Sequence, residues 1–256
     1  MKLRLFLFLL PCLASAVLHA QNFEVARISD PDGYTNIRTA PNAQSEVAGK
    51  LLKDEFFYCE RGTGDWWKVS SYGTEGYVHR SRIQLFRDLP DSAKEPVFRS
   101  NFQQYAQLTE KFNRAYDRYN EREKRWKNRE DSVKYAETRS EKEKFHETRY
   151  AILLGELPGY FCRTKDAAII KLLFELEIED SGSASETPDF ALGECYICQP
   201  DALLQALAAF PRETRSGLCA TVAFGLGNLS SHFDQEENDP AFKRLSKRLE
   251  DAAKAP

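Results

Sequence analysis

Histidine is scarce in this chain, with four among 256 residues. His19 falls in an N-terminal stretch marked for removal, which leaves His79, His146 and His232 well apart in the sequence. No nucleophile elbow, metal-binding helix motif or phosphate loop accompanies them. These absences count against a hydrolase, a kinase or a metalloenzyme, so we expect no enzyme, no cofactor, no catalytic residue and no metal site. Long apolar runs are missing too. Beyond the first 20 residues no run approaches the roughly 20 that a membrane helix needs, so no transmembrane span is expected. An excess of basic charge is also lacking, with 36 basic against 39 acidic side chains, and this argues against a nucleic-acid partner.

The one apolar run lies at the N-terminus. Lys2 and Arg4 precede Leu5 to Leu10, and small residues follow, the three parts of a secretory signal. Residues 1–20 are therefore expected to be a signal peptide, cut after Ala16 or after Ala20, and the mature protein to be exported, periplasmic or secreted. Pro11 before Cys12 suits lipidation poorly.

Cysteine is present in an odd number after that cut: Cys59, Cys162, Cys195, Cys198 and Cys219. Export permits disulfides. Cys195-x-x-Cys198 would need a strand-to-helix turn to act as a redox pair, or a second close pair to hold zinc, and the sequence has neither. Cys162, Cys195, Cys198 and Cys219 are expected as structural bridges or core residues, with Cys59 the unpaired one.

Between Val25 and Phe86 short alternating runs are punctuated by turn residues. Ile37, Val47, Leu51, Phe57, Trp67, Val69, Val78 and Ile83 mark half-buried strands, and Ser70 to Gly76 reads as a hairpin. Trp66 and Trp67 are neighbours in one strand and must face opposite sides; Trp67 shares the parity of Val69, which sends Trp66 outward.

Four ordered motifs stand in this stretch: Asn36-Ile37-Arg38 ahead of Pro41, Val47-Ala48-Gly49-Lys50-Leu51, Trp66-Trp67-Lys68-Val69, and Gly76-Tyr77-Val78. In this the segment resembles the bacterial SH3 family. The resemblance implies a small SH3-like β-barrel over residues 21–88 and contacts with cell-wall peptides or envelope proteins. The surface residues expected to carry them are Tyr34, Trp66 and Tyr77. The family often accompanies cell-wall hydrolases, which keeps an accessory or unrecognised enzyme as one reading.

After a proline-bearing segment, residues 89–97, expected as a linker, the chain has neither glycine nor proline up to Arg149. Phe98, Phe102, Tyr105, Phe112, Tyr116, Tyr119, Trp126 and Val133 recur at helical spacing. Oppositely charged residues stand four apart, such as Glu121 with Arg125, Glu123 with Lys127 and Glu130 with Lys134. Residues 98–149 are thus expected to form one long charged helix, either a coiled-coil or partner-binding helix or a spacer whose aromatic face folds back on the C-terminal part, and the fading of the seam after Trp126 favours the spacer.

Residues 150–256 read as helical. Tyr160 and Cys162 recur as Tyr196 and Cys198 before a second helix-like phrase, a period near that of stacked helical pairs, and the bundle resembles HEAT repeats in this. Thr164 is expected to cap the first helix, and Pro200 with Asp201 to open the second. The expected fold is α+β and multidomain: an SH3-like barrel, a charged helix and an all-α bundle. The expected function is an exported, non-enzymatic binding or adaptor protein. The alternative is an assembly factor whose barrel docks on its own helical part.

Overall fold

The computed structural model describes residues 23–123, 129–180, 185–229 and 239–255. The expected signal peptide, Trp126, His232 and the side chains of the Glu121 and Glu123 pairs lie outside the described residues.

Seven strands form one antiparallel sheet: β1 (Phe23–Ile28), β2 (Tyr34–Arg38), β3 (Val47–Leu52), β4 (Phe56–Glu60), β5 (Trp66–Ser71), β6 (Thr74–His79) and β7 (Ile83–Leu85). Their spatial order is β3-β2-β6-β5-β4-β1-β7. Inward positions alternate along each strand, as the two-residue period demands. Ala26, Ile28, Ile37, Leu51, Phe57, Cys59, Val69, Val78 and Leu85 meet in a single core to which all seven strands contribute, so the sheet curls around it. The two end strands, β3 and β7, are not bonded to each other, and the expected barrel is an open one. The β5–β6 hairpin turns on Tyr72 and Gly73, at φ 44° and 75°. Two consecutive positive values match the primed turn whose twist suits a two-residue hairpin.

Helix α1 (Asp91–Glu123) begins inside the segment that its composition marks as a linker. Burial explains the difference. Leu89 and Lys94 are 7% and 6% exposed, and the Lys94 ammonium donates to the Arg87 carbonyl at 3.2 Å, so these residues are held by tertiary packing. The expected single helix over 98–149 is also corrected. Helix α2 (Arg129–Phe145) runs back along α1: the Tyr135 ring lies 5.7 Å from Phe112 and 4.8 Å from Tyr119, while Tyr105 stacks near Phe145. Phe112, Tyr116 and Tyr119 of the aromatic seam thus meet the chain's own second helix, with Tyr116 still exposed, and the start of the seam, Phe98, Phe102 and Tyr105, enters the main core.

A π turn, His146–Tyr150, joins α2 to α3 (Ala151–Thr164). Then come α4 (Ala167–Glu179), α5 (Thr187–Cys198), α6 (Pro200–Leu207), α7 (Arg212–Asn228) and α8 (Pro240–Lys254). Asp166, and not the expected Thr164, caps α4, accepting from Ala168 N at 3.1 Å and Ile169 N at 3.3 Å. Its carboxylate reaches two free amides of the first turn. Pro200 opens α6 with Asp201 in its first turn. Cys162 at the end of α3 is bridged to Cys198 at the end of α5, 36 residues on, so the disulfide ties the corresponding positions of the faint sequence repeat.

Helices α5 and α7 touch backbone to backbone. A β-carbon on Gly193 would lie 2.6 Å from the Gly225 carbonyl carbon, and one on Gly225 would lie 1.9 Å from the Asp189 oxygen. The sheet and the helices also share a core. Val25, Phe56 and Phe86 belong to the same apolar cluster as Phe98, Phe102, Tyr160 and Phe161. Phe86 stands edge-on to both Phe56, at 5.8 Å, and Phe98, at 5.6 Å.

Candidate ligand-binding surface

Strand parity divides the outer face of the sheet into two regions. On β1 and β4, Val25 lies opposite Tyr58 and Arg27 opposite Phe56. Val25 and Phe56 face away from the sheet's own core and are covered by helices. On β5, β6 and β2, the outward residues are Trp66 opposite His79, Lys68 opposite Tyr77, and Arg38 opposite Tyr77. None of these belongs to the core shared with the helices. One region is therefore a joint within the molecule and the other is an uncovered aromatic and basic surface.

Trp67 packs against the inner core, as its parity requires, and its Nε1 is buried without a hydrogen-bond partner. Trp66 is partly buried, and its ring stands edge-on to the His79 ring at 5.5 Å. His79 Nδ1 lies 2.8 Å from the Ser81 hydroxyl, which fixes the imidazole beside the indole. Tyr77 sits between Arg38 and Lys68 across two strand pairs. Lys68 is within 3.4 Å of the Glu75 carboxylate, and Arg38 Nη1 donates to the Ser45 carbonyl at 2.7 Å. Tyr34, 42% exposed, begins β2 at the far end from Arg38, with the Lys50 ammonium 4.6 Å from its ring centre. Trp66 and Tyr77 thus share one patch, while Tyr34 with Lys50 stands apart on the same face.

Residues 33–84 match the family described as Bacterial SH3 domain. No curated protein matches the chain. The match takes in β2 to β6 and most of β7 and leaves out β1, the strand that carries Val25 to the helices. The exposed patch therefore lies within the SH3 domain, and part of the joint lies outside it.

Sequence reasoning missed His79, Lys68 and Arg38 as members of this surface. Only the cross-strand register, which sets Trp66 beside His79 and Tyr77 between the two cations, brings them to the aromatics. A single histidine and two ordinary surface cations carry no signal of their own.

The cysteines fall elsewhere. Cys162 and Cys198 form the disulfide, and Cys59, Cys195 and Cys219 are free and buried. Burial pushes the Cys59 thiol up to about 12 and raises those of Cys195 and Cys219 as well, so none offers a thiolate near neutrality. Among the described residues no three His, Cys, Asp or Glu side chains are placed to hold a metal ion between them, and no helix is long and apolar enough to cross a membrane.

Proposed function

We propose that this chain is an exported, non-enzymatic adaptor whose SH3 domain holds a carboxylate-bearing extended peptide, from the cell wall or from an envelope protein, on the Trp66 and Tyr77 face. The observation that carries this reading is the division of the sheet's outer surface: the helices bury Val25 and Phe56, while Trp66, His79, Tyr77, Lys68 and Arg38 stay uncovered. Flat rings give a peptide apolar contact at small entropic cost, and neighbouring cations receive its carboxylates through charge-assisted hydrogen bonds. The helical part then serves as a rigid mount.

Co-sedimentation of the full mature chain with purified peptidoglycan tests the reading. Saturable binding should be lost in Trp66→Ala and kept in Trp67→Phe, each checked by circular dichroism. Undiminished binding by Trp66→Ala would sink it. A second reading, an assembly factor whose SH3 domain serves to dock on its own helices, is favoured by the shared core around Phe86. It expects no wall binding by the wild-type chain.

A further inference from the structure

A polar cavity of about 230 Å³ lies within the helical part, far in sequence from the SH3 surface, between α1, the π turn, α4, α5 and α7. The walls carry three carboxylates, on Glu177, Asp180 and Asp189. Asp180 is satisfied, receiving the Tyr105 hydroxyl at 3.0 Å and the Lys142 ammonium at 2.5 Å. Glu177 and Asp189 have no cationic partner among the described residues.

One further polar group faces this space unpaired among the described residues. Tyr150 is 2% exposed and lines the cavity, and its hydroxyl makes no hydrogen bond among the described residues. The His146 ring also lines the cavity, with its Nε2 buried and shut off from it. Both residues belong to the π turn, a local widening of the helix that recurs at functional sites. Buried polar groups in folded proteins are nearly always paired, so the unpaired Tyr150 hydroxyl, beside two carboxyl groups without a cation among the described residues, calls for a partner that brings both N–H groups and positive charge.

We propose that this cavity binds a small protonated primary amine, its charge set against Glu177 and Asp189 and an N–H group received by Tyr150. The carboxylates exclude an anion, and the acceptors outnumber what a neutral apolar molecule could satisfy.

Burial, with Asp189 and Asp180 nearby, raises the empty-site Glu177 carboxyl to about 8. The other ionisable groups around it are Tyr105 on α1, Lys142 on α2, and His146 and Tyr150 on the π turn. At neutrality Glu177 therefore carries a proton that an arriving ammonium displaces. Amine binding is coupled to the release of that proton, and affinity rises as pH approaches the carboxyl's own value.

Isothermal titration of the full mature chain with n-butylammonium chloride, in buffers of different ionisation enthalpy, tests this. We expect saturable binding, release of close to one proton per amine, and affinity that increases from about pH 6 to about pH 8. Glu177→Gln, an uncharged match for the protonated side chain, should fold normally, bind about tenfold more weakly or worse, and release no proton. Trp66→Ala should bind the amine as the wild type does, which separates this site from the SH3 surface. Absence of saturable heat from the wild type, equal affinity in Glu177→Gln, or equal binding of n-butanol would each overturn the proposal.

Discussion

Replacing Gly225 by Ala should weaken this fold more than its chemistry suggests. The added carbon would sit 1.9 Å from the Asp189 carbonyl oxygen and 2.6 Å from its carbonyl carbon, both backbone atoms at the start of α5 that cannot rotate away. Relief requires α5 and α7 to separate by about 1 Å, judged against the closest contacts that β-carbons make. A gap of that size forfeits a quarter to a half of the dispersion attraction at each contact it opens. The interface is well buried, with Leu192, Cys195 and Tyr196 of α5 facing Leu218, Val222 and Leu226 of α7. Overpacking of this kind costs about 3 kcal/mol, against which alanine's better helix propensity returns about 1 kcal/mol. Gly217, in the same helix but with open space around its missing β-carbon, is the control. Gly217→Ala should be stabilising by up to about 1 kcal/mol. Urea denaturation followed by far-ultraviolet circular dichroism measures both. A Gly225→Ala variant as stable as Gly217→Ala would refute the close-contact reasoning.

The other expectations concern the bridge, the buried acid and the joint. Closing a 36-residue separation, the Cys162–Cys198 disulfide should contribute about 4 kcal/mol, so the double Cys→Ser variant should melt about 10 °C lower than the oxidised protein. Glu177 is raised to about 8 in the folded chain and returns to an ordinary carboxyl value on unfolding. Its contribution is therefore fully present at low pH and is lost as pH rises to about 8, with a slope approaching 1.4 kcal/mol per pH unit. Glu177→Gln should flatten that decline in a series of pH-dependent melts. Phe86→Ala removes the ring between Phe56 and Phe98, and should cost about 3–5 kcal/mol. In a Trp126→Phe background, the tryptophan fluorescence of the SH3 domain should then melt at a lower temperature than the helical signal. Coincident transitions would show that the joint does not depend on Phe86.

The local features were legible from the sequence. Alternation at Ile37, Val69 and Val78 and the turn residues near Gly73 set short strands, because a strand's faces alternate every two residues whatever the rest of the chain does. The aromatic spacing from Phe98 to Tyr119 set a helix for the same kind of reason, and the outward direction of Trp66 followed from the parity of Trp67. Such periods are properties of the backbone, and the residues that satisfy them are printed in order along the chain.

Only the tertiary structure decided where those faces go. The stretch from 89 to 97 reads as a linker by composition, yet Leu89 and Lys94 are buried against the sheet and helices. The segment from 98 to 149 shows no helix breaker, yet its aromatic face is covered by its own second half, since Tyr135 meets Phe112 and Tyr119. Cys198 pairs with Cys162 and not with the nearby Cys195, because one lies across the α3–α5 contact and the other inside the core. The uncovered surface and the polar cavity each gather residues from several elements, and the surface alone spans 41 positions, from Arg38 to His79. A one-dimensional pattern records which residues share a face of one element, while the partner that covers or completes that face is fixed by packing between elements distant in the chain.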